Sequence, residues 1–170
     1  MCRILDHENK FNYRNHRSRR IQGERMKTLD SSTPSHSDQG RTELNKLSLQ
    51  VIGAAVAVHC ELGPGLVESV YETCLITELR RLGLAVETQL PVPVVFQKKV
   101  VSPDGLRLGL LVADTIIVEL KSVATIQPVH QQRLLTYLRF AGKPLGLLIN
   151  FNVALLKDGI ERIVNNSLEP

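Results

Sequence analysis

The stretch TIIVELKSV at residues 115–123 constrains the fold most. Ile116, Ile117, Val118, Leu120 and Val123 are apolar and mostly β-branched, the composition of a buried strand. Side chains alternate across a strand, so Glu119 and Lys121 share one face of it. Burying a charge costs several kcal/mol unless it is paired or binds something. Two readings follow: an edge strand with one solvated face, or an acid and a base held inside the fold for a purpose.

The rest of the chain is read around that strand. Thr42 is an N-cap candidate for a helix running to about Leu62, stopped by Gly63-Pro64-Gly65. A second helix is predicted from about Leu66 to Leu82, with Val67, Val70, Tyr71, Cys74, Leu75, Leu79 and Leu82 at helical spacing. Glu68 lies at the flank of that face and Glu78 near its middle. The period then changes. VETQLPVPVVF at 86–96 is extended, and Pro91 and Pro93 confine it to an edge or an irregular strand. LRLGLLV at 106–112 forms the next strand and TIIVELKSV the third, with a short turn around Ala113-Asp114. Only a three-residue turn over 113–115 puts Gly109 opposite Glu119 on the same face. Pro128 precedes a helix from about Val129 to Ala141, GLLINFN at 146–152 is a fully apolar strand, and GIERIV at 159–164 a short fifth. This order predicts an α/β sandwich around a mixed sheet, as one domain over 42–170.

Residues 1–41 are polar, lack apolar periodicity and read as a flexible tail. Met26 offers a second candidate start. The chain's net +4 lies in this leading part: residues 1–46 carry 10 Lys/Arg against 6 Asp/Glu, leaving 11 and 11 in residues 47–170. The core therefore has no basic excess by count, and bulk charge is weak evidence for nucleic acid. No apolar run approaches the roughly 18–20 residues that span a bilayer, so no membrane partner is expected. The N-terminus lacks the order of a secretory signal. Cys2, Cys60 and Cys74 have no CxxC spacing, and Cys60 and Cys74 fall in apolar helical patterns, so they read as core thiols of a cytoplasmic protein.

Several stretches, VHCELGPGLVESVYETCLITELRRLGL, IIVELKSV with PVH, YLRFAG, GLLINFN and LKDGIERIV, together resemble the bacterial GxxExxY family of the PD-(D/E)XK nuclease-like superfamily. Gly65, Glu68 and Tyr71 carry the naming motif. The resemblance covers about residues 43–165. It implies a restriction-endonuclease-like core, a mixed sheet of about four or five strands flanked by helices. It also implies a Mg²⁺- or Mn²⁺-dependent phosphodiesterase, in which hard cations take oxygen ligands and activate water. Glu119 and Glu68 match the metal carboxylates and Lys121 the catalytic lysine. His130 stands where the family shows histidine. Tyr137 matches the tyrosine one turn after a glutamine on the third helix.

Two positions depart from the pattern. Gly109 stands where the resemblance implies a metal-binding Asp, and Arg133 where it implies the Gln. One change removes a negative charge and the other adds a positive one. Arg133 is therefore expected to pair with Glu119 or Glu68 in place of the metal. Asp104 and Asp114 are each roughly 16 Å of extended strand from Gly109 and do not replace the missing carboxylate. The expected function is a degenerate nuclease-like protein binding nucleic acid, DNA or RNA, or a protein partner. A metal-dependent nuclease using Glu68, Glu119 and Lys121 is the alternative. A third reading is an interaction protein with the apolar first helix as a homo-oligomer face.

Overall fold

A computed structural model describes residues 36–166 of the chain. The expected tail falls largely on residues 1–35, outside the described residues. Helix α1 spans His36–Leu62 and so begins six residues before Thr42. Gly40 does not interrupt it. Along α1, Val51, Ala54, Ala55 and Val58 are buried, the i, i+3, i+4, i+7 stripe of a helix lying on a core. Helix α2 spans Glu68–Arg81 and buries Tyr71, Leu75 and Leu79, four residues apart each time.

Strands β1 (Val86–Phe96), β2 (Lys99–Val112) and β3 (Ile116–Lys121) form an antiparallel meander. Helix α3 (Pro128–Ala141) crosses over to β4 (Leu145–Asn150), which pairs parallel with β3. A 3₁₀ turn at Leu156–Gly159 leads into β5 (Ile160–Val164), antiparallel to β4. The sheet order is β1-β2-β3-β4-β5, so β1 with its two prolines is an edge strand as its sequence predicts. The fold is a five-stranded mixed sheet flanked by helices, consistent with the restriction-endonuclease-like architecture.

Strands β3 and β4 are buried along their whole length apart from Lys121, which explains their apolar runs, broken only by Glu119 and Lys121 in β3 and by Asn150 at the end of β4. One face, carrying Leu110, Val112, Ile116, Val118, Leu120, Leu145, Leu147 and Ile149, packs with α1 and α2. The other, carrying Leu111, Ile117 and Leu148, packs with Leu134 and Leu138 of α3. A fully buried leucine contributes about 2 kcal/mol, so this pair sets the roll of α3 about its axis. Gly146 lets α3 come close: a Cβ there would stand 2.8 Å from the Leu134 side chain. TIIVELKSV is thus a central strand, and the solvated-edge reading of Glu119 is excluded.

Strand β2 starts at Lys99 rather than near Leu106. Ser102, Pro103, Asp104 and Gly105, which resemble a loop in sequence, lie within a ladder with β1 whose register shifts around Val94 absorb them. The expectation of core thiols is corrected for Cys60, which is exposed on α1; Cys74 is half-buried. Cys2 lies outside the described residues. Among the described residues no helix is long and apolar enough to cross a membrane.

Candidate functional site

The turn between β2 and β3 occupies Ala113, Asp114 and Thr115, since Val112 pairs with Ile116 and Leu110 with Val118. The next step of that register sets Gly109 opposite Glu119. A Cβ at Gly109 would sit 3.6 Å from Glu119 Oε2 and 3.1 Å from the Val118 carbonyl. Gly109 therefore faces the carboxylate it was expected to face, and brings no oxygen of its own. Asp114 is engaged elsewhere, 2.6 Å from Lys143 Nζ. Asp104 is exposed on the outer part of β2.

Glu119 is only 8 % exposed. Its Oε1 lies 2.9 Å from Lys121 Nζ, two residues along the strand. The same ammonium meets Glu68 from the first turn of α2, at 3.3 and 3.4 Å from its two oxygens, and donates to the Leu120 carbonyl at 2.6 Å. Lys121 is thus enclosed by two carboxylates and a backbone oxygen at the C-terminal end of β3. The Glu68 carboxylate also lies where the exposed amides of the α2 N-terminus favour negative charge.

Local contacts explain how Glu68 gets there. Tyr71 is fully buried and stacked on Phe151 at 4.5 Å. Its hydroxyl donates to the Gly63 carbonyl at 2.6 Å and accepts the Leu66 amide at 3.1 Å. That clasp fixes the 63–66 turn, in which Gly63 and Gly65 take positive φ of 68° and 102°, values that L side chains rarely adopt. Ser122 Oγ donates to the Leu66 carbonyl at 2.5 Å, tying the turn to the end of β3. The buried Asn150 completes the frame: its side chain accepts the Val123 amide and donates to the Val123 carbonyl. Sequence reasoning missed Ser122 and Asn150. A polar residue ending an otherwise apolar strand was the available signal for Asn150.

On α3, Tyr137 packs against the same face of the sheet. Burial pushes its phenol above the ordinary value, the Glu119 carboxylate adds to the rise, and Arg133 and Lys121 pull it back. His130 serves as a cap: its Nδ1 accepts the Gln127 amide at 3.1 Å, and the reciprocal bond completes a capping box. His59 is buried and its Nε2 lies 2.9 Å from the Val153 carbonyl, a structural contact.

The expected pairing of Arg133 with Glu119 or Glu68 is corrected. Among the described residues the ion pairs of both carboxylates run to Lys121 and none runs to Arg133, which is exposed. Packing of the adjacent Leu134 onto Gly146 turns Arg133 outward. Its influence on the site is the longer-range field felt at Tyr137.

The same oxygens bear on a divalent ion, the cofactor that the resemblance implies. Mg²⁺ demands near-octahedral oxygen coordination at about 2.1 Å. Glu119, Glu68 and the Leu120 carbonyl are the oxygens that would hold such an ion; here they converge on the Lys121 ammonium, Gly109 adds no third carboxylate, and among the described residues no group of three His, Cys, Asp or Glu lies together.

An acid and a lysine two apart at the C-terminal end of a central strand, with a helix glutamate beside them, are the elements of a nuclease-type site. Residues 45–163 match the family model of the PD-(D/E)XK nuclease superfamily, and the chain belongs to that superfamily. Comparison with curated proteins and with solved structures finds no match.

Proposed function

We propose that this chain is a GxxExxY-type member of the superfamily that has lost phosphodiester cleavage and uses the nuclease scaffold to bind nucleic acid. The observation that carries the reading is the Lys121 ammonium, held by Glu119, Glu68 and the Leu120 carbonyl. A single positive charge replaces a doubly charged ion and needs no third carboxylate, which accounts for Gly109 without a further assumption. The cost of burying Glu119 is offset inside the chain, and a hard cation would have to compete with the Lys121 ammonium for both carboxylates. Lys121, engaged with both carboxylates, is not available to orient a water or to meet a phosphate.

The test is cleavage of single- and double-stranded DNA and RNA in Mg²⁺ and in Mn²⁺, with Lys121→Ala as the blank. The reading predicts no cleavage above that blank. Cleavage that Lys121→Ala abolishes would establish the alternative, a metal-dependent nuclease using Glu68, Glu119 and Lys121.

A further inference from the structure

Strands β1 and β2 outrun the sheet. The β2–β3 ladder ends at Leu110↔Val118, whereas β1 and β2 stay paired out to Phe96↔Lys99. Since β2 runs antiparallel to β3, the extra length projects past the C-terminal end of β3, the end that carries Lys121. Its inner part rests on the α3 side through Leu90, Val92, Leu106 and Leu108. The outer part is a bare two-stranded ribbon, and since β2 bulges around residues 103–105 its reach is set by β1, whose Phe96 lies six residues beyond Leu90, roughly 20 Å along the strand.

The tip has an unusual composition for a free ribbon. Phe96 is 64 % exposed and stands opposite Lys99, so an aromatic ring and a cation share one face. The turn residues are Gln97 and Lys98, with φ of 47° and 62°. Two left-handed residues in a two-residue hairpin turn normally mean Asn-Gly; a lysine there keeps a cation at the apex despite its conformational cost. From Val94 to Arg107 the ribbon carries Lys98, Lys99 and Arg107 against Asp104 alone, in a region of the chain whose overall charge is balanced.

We infer that the β1–β2 ribbon is a duplex-DNA-binding arm, with Lys98 and Lys99 on phosphates and Phe96 against base or sugar edges. The inference rests on the reading of the chain as a nucleic-acid binder and adds the partner and the surface. A B-form major groove about 12 Å wide admits a two-stranded ribbon, whereas the deep, narrow major groove of duplex RNA does not. The arm projects from the end of the sheet that bears Lys121, so a duplex gripped by it lies on the site's side of the molecule.

The experiment is a salt titration of the full chain binding a duplex DNA, the same sequence as duplex RNA, and one DNA strand, all in EDTA. The variants are Lys98→Ser/Lys99→Ser and Phe96→Ser, both at exposed positions, with folding checked by thermal unfolding. Duplex DNA is expected to bind best. The double variant should lower the slope of log affinity against log salt by about 1.8, two phosphate contacts at roughly 0.9 each. Phe96→Ser should weaken binding by roughly tenfold at unchanged slope. Absence of duplex binding, or binding untouched by the double variant, overturns the inference. So does a wild-type dimer in sedimentation that Phe96→Ser dissociates, which would make the ribbon a contact between copies. Cleavage in Mn²⁺ would overturn the inactive reading and leave the arm standing, so the two failures are distinguishable.

Discussion

Replacing Gly109 by aspartate returns a carboxylate to the face of β2 opposite Glu119, and the structure sets what that should do. The new Cβ would be 3.6 Å from Glu119 Oε2 and 3.1 Å from the Val118 carbonyl, so the side chain fits with a shift of a few tenths of an ångström. Two carboxylates about 4 Å apart repel by about 4 kcal/mol at an effective dielectric of about 20. Attraction of the new charge to Lys121, whose Nζ lies 2.9 Å from Glu119 Oε1, offsets most of this. Gly109→Asp is therefore expected to destabilise the metal-free protein by about 1–2 kcal/mol, lowering Tm by roughly 3–6 °C for a chain of this size. A divalent ion should reverse the effect. At Mn²⁺ about a hundredfold above its Kd, binding stabilises the variant by about 2.7 kcal/mol, or roughly 8 °C, while the wild type should barely respond. Thermal unfolding with and without Mn²⁺, together with calorimetric titration, measures both quantities. Equal stabilisation of the wild type and the variant would show that the natural site already takes the ion. No response from the variant would show that position 109 does not face the carboxylates. Either result refutes the reasoning.

Three further outcomes follow from the same geometry. Lys121→Met leaves the buried Glu119 unpaired and should cost roughly 3–5 kcal/mol in denaturant unfolding, most of it recovered when Glu119→Gln is added. Tyr71→Phe removes the clasp on the Gly63–Leu66 turn and leaves the Leu66 amide without its acceptor, an expected loss of about 1–3 kcal/mol on chemical unfolding. Tyr137 should ionise above the ordinary tyrosine range in an absorbance titration referenced to Tyr137→Phe, with the midpoint falling in Glu119→Gln and rising in Lys121→Met. Because the folded state favours the neutral phenol, its contribution to stability is intact below the usual tyrosine pKa and is lost as pH rises through the folded value.

The fold was legible where the physics is local. The apolar runs of β3 and β4, the proline-marked edge strand and the periodic faces of α2 and α3 place five strands and three helices close to where the sequence puts them. The facing of Gly109 and Glu119 follows from strand alternation once the turn is three residues long, a length that the sequence left open and the β2–β3 register decides. What escaped depends on tertiary placement. That Lys121 reaches Glu68 is set by the Tyr71 clasp and the Ser122 latch, which bring residues about 50 apart together; no local pattern encodes that. Arg133 was misread because a helical wheel fixes its angle relative to Tyr137 but not the roll of α3, which Leu134 on Gly146 decides. The outer ribbon escaped because Pro103-Asp104-Gly105 has turn chemistry, and only pairing with β1 extends it.

On the function proposed here, the Lys121 ammonium stands in the cation's place. A crystal structure of the wild-type chain at millimolar Mn²⁺, read by the anomalous signal of manganese, tests it most directly. No manganese is expected at Glu119, with Lys121 Nζ still bridging Glu119 and Glu68. A manganese peak on Glu119 with Lys121 swung away would contradict it.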